Sequence, residues 1–211
     1  MKKLISAFLC LAIMLFMAFP AAASTTESPD KINLTVDSCN VRVEISESNQ
    51  FEYIYDAGKY SLTATGLDGA LTIDISKTAN AVGLMDMVII KIPAKDYDKI
   101  VVKGVKSGIA LPEGINANFD ISNDGGAISI GIAKGFTKNI DLTCNGGSGA
   151  VVFNKDATDY TLTVNPKASA VAITFPNFIP NQQYVRSIGN GKAKIILNIE
   201  SSSFSINTAS K

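Results

Sequence analysis

Phe119-Asp120-Ile121-Ser122-Asn123-Asp124-Gly125-Gly126-Ala127-Ile128-Ser129-Ile130 is matched 21 residues later by Ile140-Asp141-Leu142-Thr143-Cys144-Asn145-Gly146-Gly147-Ser148-Gly149-Ala150-Val151-Val152-Phe153. Each copy has a run of alternating apolar and polar residues, a tight Asn/Asp/Gly/Ser turn, and a second alternating run. A period of two sends neighbouring side chains to opposite faces of a strand, so one face is buried and the other wet. A lone unit of this kind has nothing to bury its apolar face against, and stacked copies supply one another with a continuous core.

The same pattern extends in both directions. Ile32, Leu34 and Val36 alternate with Asn33, Thr35 and Asp37; the turn Asp37-Ser38-Cys39-Asn40 leads to Val41, Val43 and Ile45. Residues 51–55 and 60–65 read as a further strand pair, and Leu67-Asp68-Gly69 as a turn into Leu71, Ile73 and Ile75. Val88-Ile89-Ile90-Lys91-Ile92-Pro93 is a strand closed by a proline, which has no N–H for a ladder. Residues 100–105 with 109–111, and 162–164 with 171–175, continue the series. Residues 76–87 interrupt it and read as a loop between strands or, on a functional view, a lip over a binding surface. No window outside the N-terminal segment sustains a 3.6-residue period. The expectation is an all-β, single-domain, right-handed β-solenoid-like stack of short strands over residues 31–211. Six or seven layers at about 4.8 Å each would make a body roughly 30 Å long.

The N-terminal segment has a different character. Lys2-Lys3 precedes an apolar stretch, and Pro20-Ala21-Ala22-Ala23-Ser24 is a small-residue cleavage site, so residues 1–23 read as a signal peptide and 24–30 as a polar linker. Cys10 lies inside the apolar stretch rather than just after it, unlike a lipoprotein anchor. The expected mature protein is secreted or resident in the cell envelope, with no membrane insertion after cleavage. It retains 17 basic residues against 19 acidic ones, a net charge of −2. That balance argues against nucleic acid as a partner. Cys39 and Cys144 remain, about a hundred residues apart and each assigned to a turn, and are expected to be free thiols.

Chemistry is sparse. The chain has no histidine, which removes His-dependent nucleophilic triads and His-based zinc sites. Gly146-Gly147-Ser148-Gly149 lacks the aspartate of calcium-binding β-rolls, and Asn123-Asp124 suits a turn better than a metal site. Asp120 and Asp141 hold matching positions one unit apart, and together would resemble a glycosidase pair. Both alternate with buried residues, however, so a solvated face accounts for them. No catalytic residue, metal ligand or cofactor is assigned. Tyr53, Tyr55 and Tyr60 form an aromatic cluster that would stack on sugars if exposed or cap the first layer if buried. Lys95, Lys99 and Lys103 form a locally basic stretch that would meet anionic glycans or guard a strand edge.

The proline-ended strand Val88–Pro93, the strand, Asn/Ser-Gly turn, strand units, and the closing turn Gly189-Asn190-Gly191 before Lys194 resemble a family of bacterial exported putative adhesins with a β-solenoid-like fold. In that comparison the unit after Gly191 corresponds to the last layer. Asn165-Pro166-Lys167 departs from the pattern, standing where a glycine turn is expected. The resemblance implies a non-catalytic surface protein that binds a cell-surface or matrix protein or a glycan. The rival readings are a solenoid-type polysaccharide-active enzyme and an envelope-stress accessory that binds another envelope protein.

Overall fold

The computed structural model describes residues 28–78 and 87–209. The expected signal peptide, most of the linker and positions 79–86 of the expected loop lie outside the described residues. The end of the linker is tied down: Pro29 is buried, and the Asp30 N–H donates to the Gly69 carbonyl at 3.0 Å.

All regular structure among the described residues is strand, as the alternation predicts. The chain runs through β1 (Lys31–Asp37), β2 (Asn40–Ser46), β3 (Glu52–Ile54) and β4 (Tyr60–Leu67). Next come β5 (Ala70–Lys77), β6 (Val88–Pro93), β7 (Asp96–Val105), β8 (Gly108–Leu111), β9 (Asn116–Asp124) and β10 (Ala127–Ile132). They are followed by β11 (Ile140–Asn145), β12 (Ser148–Phe153), β13 (Tyr160–Lys167) and β14 (Ala170–Ile173). The last three are β15 (Tyr184–Ile188), β16 (Ala193–Glu200) and β17 (Ser203–Thr208).

The two strands of a unit do not pair with each other; they enter opposite sheets. The first sheet has nine strands in the order β15-β13-β16-β11-β9-β7-β1-β5-β4, and the second has eight in the order β14-β17-β12-β10-β8-β2-β6-β3. Antiparallel β4 and β15 close the two ends of the first sheet, and antiparallel β3 closes one end of the second. Setting these aside leaves seven parallel strands in each sheet, arranged in the same order of units. The molecule is therefore seven two-strand layers around a shared core. Residues 51–55 and 60–65, expected to pair with each other, instead cap different sheets at the same end.

The chain does not climb this stack in order. Unit β1–β2 lies between β5–β6 and β7–β8, and unit β16–β17 lies between β11–β12 and β13–β14. The unit after Gly191 is last in the chain but second from the end of the stack. This placement gives each terminal unit neighbours on both sides. Three of the four sheet ends are left to antiparallel capping strands, which limits exposed edge to invite pairing.

The register aligns the inward residues. Ile121 and Leu142 face each other across β9 and β11, and are 2% and 0% exposed. Each such Ile or Leu contributes roughly 1.5–3 kcal/mol by leaving water. At one end of the stack Phe153 stacks on Tyr160 at 4.6 Å and meets the edge of Phe175 at 5.7 Å.

Six turns between the two strands of a unit repeat one geometry. Ser38, Lys106, Gly125, Gly146, Ala168 and Ser201 have φ between 48° and 69°, the left-handed region in which glycine is unstrained. The next residue is small: Cys39, Ser107, Gly126, Gly147, Ser169 or Ser202. The serines tuck inward, and each shares its proton between two carbonyls. Ser107 reaches Val36 and Val105, Ser169 reaches Lys167 and Ile199, and Ser202 reaches Cys144 and Glu200. The β13–β14 turn thus falls at Ala168-Ser169. Pro166 sits in β13 beyond the segment that β15 covers, where its missing N–H leaves no ladder gap.

Two assignments from sequence change. Cys144 is an inward strand residue of β11, not a turn residue, while Cys39 does occupy a turn. Both are buried and free; they lie three layers apart, about 14 Å at strand spacing, beyond the reach of a disulfide. Asn123, read as a turn residue, belongs to β9 and points inward at 2% exposure. It occupies the inward row of Val36, Gly104 and Cys144. Both polar atoms of its amide lack a hydrogen-bond partner.

Candidate functional site

The outward side chains of β8, β10, β12, β17 and β14 in the second sheet are unusually small. The register sets Gly108, Ala127, Ser148, Ser203 and Ala170 in one row across five layers. Ala110, Ser129, Ala150, Ser205 and Ala172 form the row beside it. A third row is closed off at Gly131, where an added Cβ would come within 2.7 Å of the Glu113 backbone nitrogen. The Glu113 side chain is in turn held by Asn154, whose amide donates to it at 2.6 Å.

The result is a groove of about 860 Å³ running along the two rows, with Met87, Pro180 and Asn181 also in its lining. Among the described residues no charged side chain lines it. Its volume falls within the range of ligand sites, roughly 300–1,000 Å³. The floor strands β8, β10, β12 and β17 have a bonded neighbour on each side, so their backbone groups are engaged in the ladders. What the floor presents is serine hydroxyls among alanine methyls. Met87 is the one described residue of the expected lip that reaches the groove.

The residues singled out from sequence lie elsewhere. Tyr60 is buried in the core at 5% exposure. Tyr53 is half-buried against the core, and burial pushes its phenol up to about 12. Tyr55 alone of the three is exposed. Lys95 donates to the Asp30 carboxylate at 2.7 Å and to the Ser28 carbonyl at 3.1 Å, with its ammonium 5.2 Å from the centroid of the Tyr97 ring. Lys99 bonds Asp120 at 2.8 Å. Lys103 is exposed in the first sheet, in register between Thr35 and Ser122. The structure brings neither the tyrosines nor these lysines to the groove.

Asp120 and Asp141 are register partners on adjacent strands, as their matching positions predict. They stand on the exposed face of the first sheet, where Lys99 engages one and the Asn198 amide donates to the other at 3.3 Å. The sequence did carry a signal for the groove, in the small residues alternating through the second strand of each unit. Attention to charge and aromaticity passes over it.

No family model and no curated protein sequence matches the chain. Among solved structures, a "putative adhesin" of Bacteroides fragilis aligns over 87% of this chain and 93% of its own, at 10% identity and a TM-score of 0.35, too low to carry an argument. A "putative cell adhesion protein" of Clostridium sporogenes aligns over 86% of this chain and 94% of its own, with a TM-score of 0.62 and 14% identity. The chain is thus similar in fold to that clostridial protein over nearly the whole of both.

Proposed function

We propose that this is an exported, non-catalytic surface-binding protein of adhesin type, which engages a cell-surface or matrix protein or a glycan through the small-residue face of its second sheet. The observation that carries this reading is the groove across five layers, lined among the described residues by no charged side chain and built on a floor of hydrogen-bonded strands. The name of the clostridial structural neighbour agrees with it. A polysaccharide-cleaving role gains no support from Asp120 and Asp141, which share an open face with Lys99 beside them rather than flanking a cleft.

The test is a printed array of glycans and extracellular-matrix proteins probed with the purified mature protein. Saturable binding to a defined spot, lost in Ala150→Arg, supports the reading. A blank array overturns it and shifts weight to the envelope-accessory role, which a pull-down from the native cell surface would then probe.

A further inference from the structure

We infer that the ligand of the groove is a neutral linear glycan lying along the stack, with about one sugar per layer. This rests on the surface-binding reading above and narrows it to a ligand class.

Four observations lead there. Among the described residues the groove has no charged side chain in its lining, so these offer no counter-charge to a sulfated or uronate chain, and an ionic ligand would lose hydration without compensation. The floor is also small. Two outward rows over five layers make a strip of roughly 250 Å² from strand dimensions, well below the ~800 Å² that each partner of a standard protein complex buries. A second copy or a folded protein docked on this strip alone falls short, whereas a slender chain fits.

The remaining choice lies between an extended peptide and a glycan. A peptide strand needs a partner for an N–H and a C=O at every residue; a chain lying across the layers finds the backbone groups of β8, β10, β12 and β17 already paired within the sheet, and only the outer side of β14 is open. A peptide also advances about 3.3 Å per residue against a layer spacing of about 4.8 Å, so it meets an equivalent position only at every third residue and every second layer. A hexose is close to one layer in length, so successive sugars meet equivalent positions. Ser129, Ser148, Ser203 and Ser205 offer hydroxyls that donate to and accept from sugar hydroxyls. The methyls of Ala110, Ala127, Ala150 and Ala172 meet the C–H faces of the rings. The bare floor allows ring and sheet to approach closely, which large side chains would prevent.

Isothermal titration of the purified exported protein with cello- and chito-oligosaccharides of two to six units tests this directly. Affinity is expected to rise several-fold per added sugar up to five and then level off, with no dependence on salt. Ala150→Arg and Ser129→Arg, checked for native circular dichroism, should each weaken binding at least tenfold; Thr143→Arg on the opposite sheet should leave it unchanged. Absence of binding across both series overturns the inference, as does an affinity that ignores chain length or survives both floor variants. If the oligosaccharides fail while an array protein binds saturably, the surface-binding reading stands and the glycan assignment falls. If both fail, both are wrong.

Discussion

The two outer faces of this molecule belong to the same seven layers, yet they differ in kind. On the first sheet, layers β9 and β11 present Asp120 and Asp141, with Lys99 and Asn198 bonded to them. On the second sheet, the same two units present Ala127, Ser129, Ser148 and Ala150. The inward residues of both sheets meet one requirement, to fill a shared core, and they look alike. The outward residues are free of it. A strand that uses Ala and Gly on its wet side forfeits β-propensity, on a scale spanning about 1 kcal/mol, so folding does not explain the bare face. The close approach of the proposed ligand would.

The largest effect should come from crossing the boundary between inside and outside. Leu142→Asp places an unpaired carboxylate in the core, at a cost of about 5 kcal/mol or more, a large share of a domain's stability. Asp141→Leu, one position along on the wet face, should shift stability by about 0.5 kcal/mol at most. Thermal melts of the two variants check this. A Leu142→Asp protein melting within a few degrees of wild type would break the inward assignment, and with it the contrast between the faces.

The interior shared by the two faces also predicts a response to alkali. Burial, reinforced by repulsion from the Asp37 carboxylate, pushes the Cys39 thiol from 9.0 up to about 11. The folded protein therefore holds this proton more tightly than the unfolded chain does. The sign follows: the stabilisation is fully present below pH 9 and is lost as pH rises from 9 through 11. At about 1.4 kcal/mol per unit of pKa the loss is about 3 kcal/mol. Buried Tyr97, whose phenol burial also raises, adds to the alkaline lability in every variant. Urea midpoints at pH 8 and pH 11 should therefore fall less in Cys39→Ala than in wild type, and equal losses would refute the assignment to Cys39.

The strand count, the turns and the inward residues were largely legible in the sequence, because alternation is a local property and the core enforces it. What was not legible was long-range. Nothing local to residues 31–46 or 193–208 says that these units insert between others, since every unit offers similar strands to a neighbour. Asn123 was misread because an Asn-Asp-Gly-Gly string resembles a turn from its first residue, yet β9 extends to Asp124. The chain accepts a buried amide without partners there, opposite Gly104. Likewise Tyr60 was an aromatic with two readings, and only the topology, which makes β4 a cap, places it inside.

A smaller effect sharpens the contrast from the side of the bare face. Ala127 and Ser148 are register partners on β10 and β12. Changing both to threonine adds a cross-strand Thr pair of good β-formers, and should raise stability by about 0.5–1 kcal/mol while narrowing the groove. A more stable protein with weaker ligand binding is the expected result of urea titration and array binding together. Threonines that destabilise would mean that this face is small for reasons of folding after all.

The smallest effect belongs to the charged face. The Lys99–Asp120 pair is short at 2.8 Å, but both side chains are about half exposed, at 48% and 57%. Water screens such a pair, and holding a lysine in one geometry costs side-chain entropy, so the net value is about 0–1 kcal/mol. Asp120→Asn should therefore lower stability by about 0.5 kcal/mol or less at low salt, and by still less at 1 M salt, where the screening length shrinks to about 3 Å. Denaturation in urea at the two salt concentrations measures both values. A salt-independent loss of several kcal/mol would mean that the carboxylate is held in a dry, specific environment. The first sheet would then be a built site rather than a solvated surface, and the assignment of the ligand to the opposite face would have to be reopened.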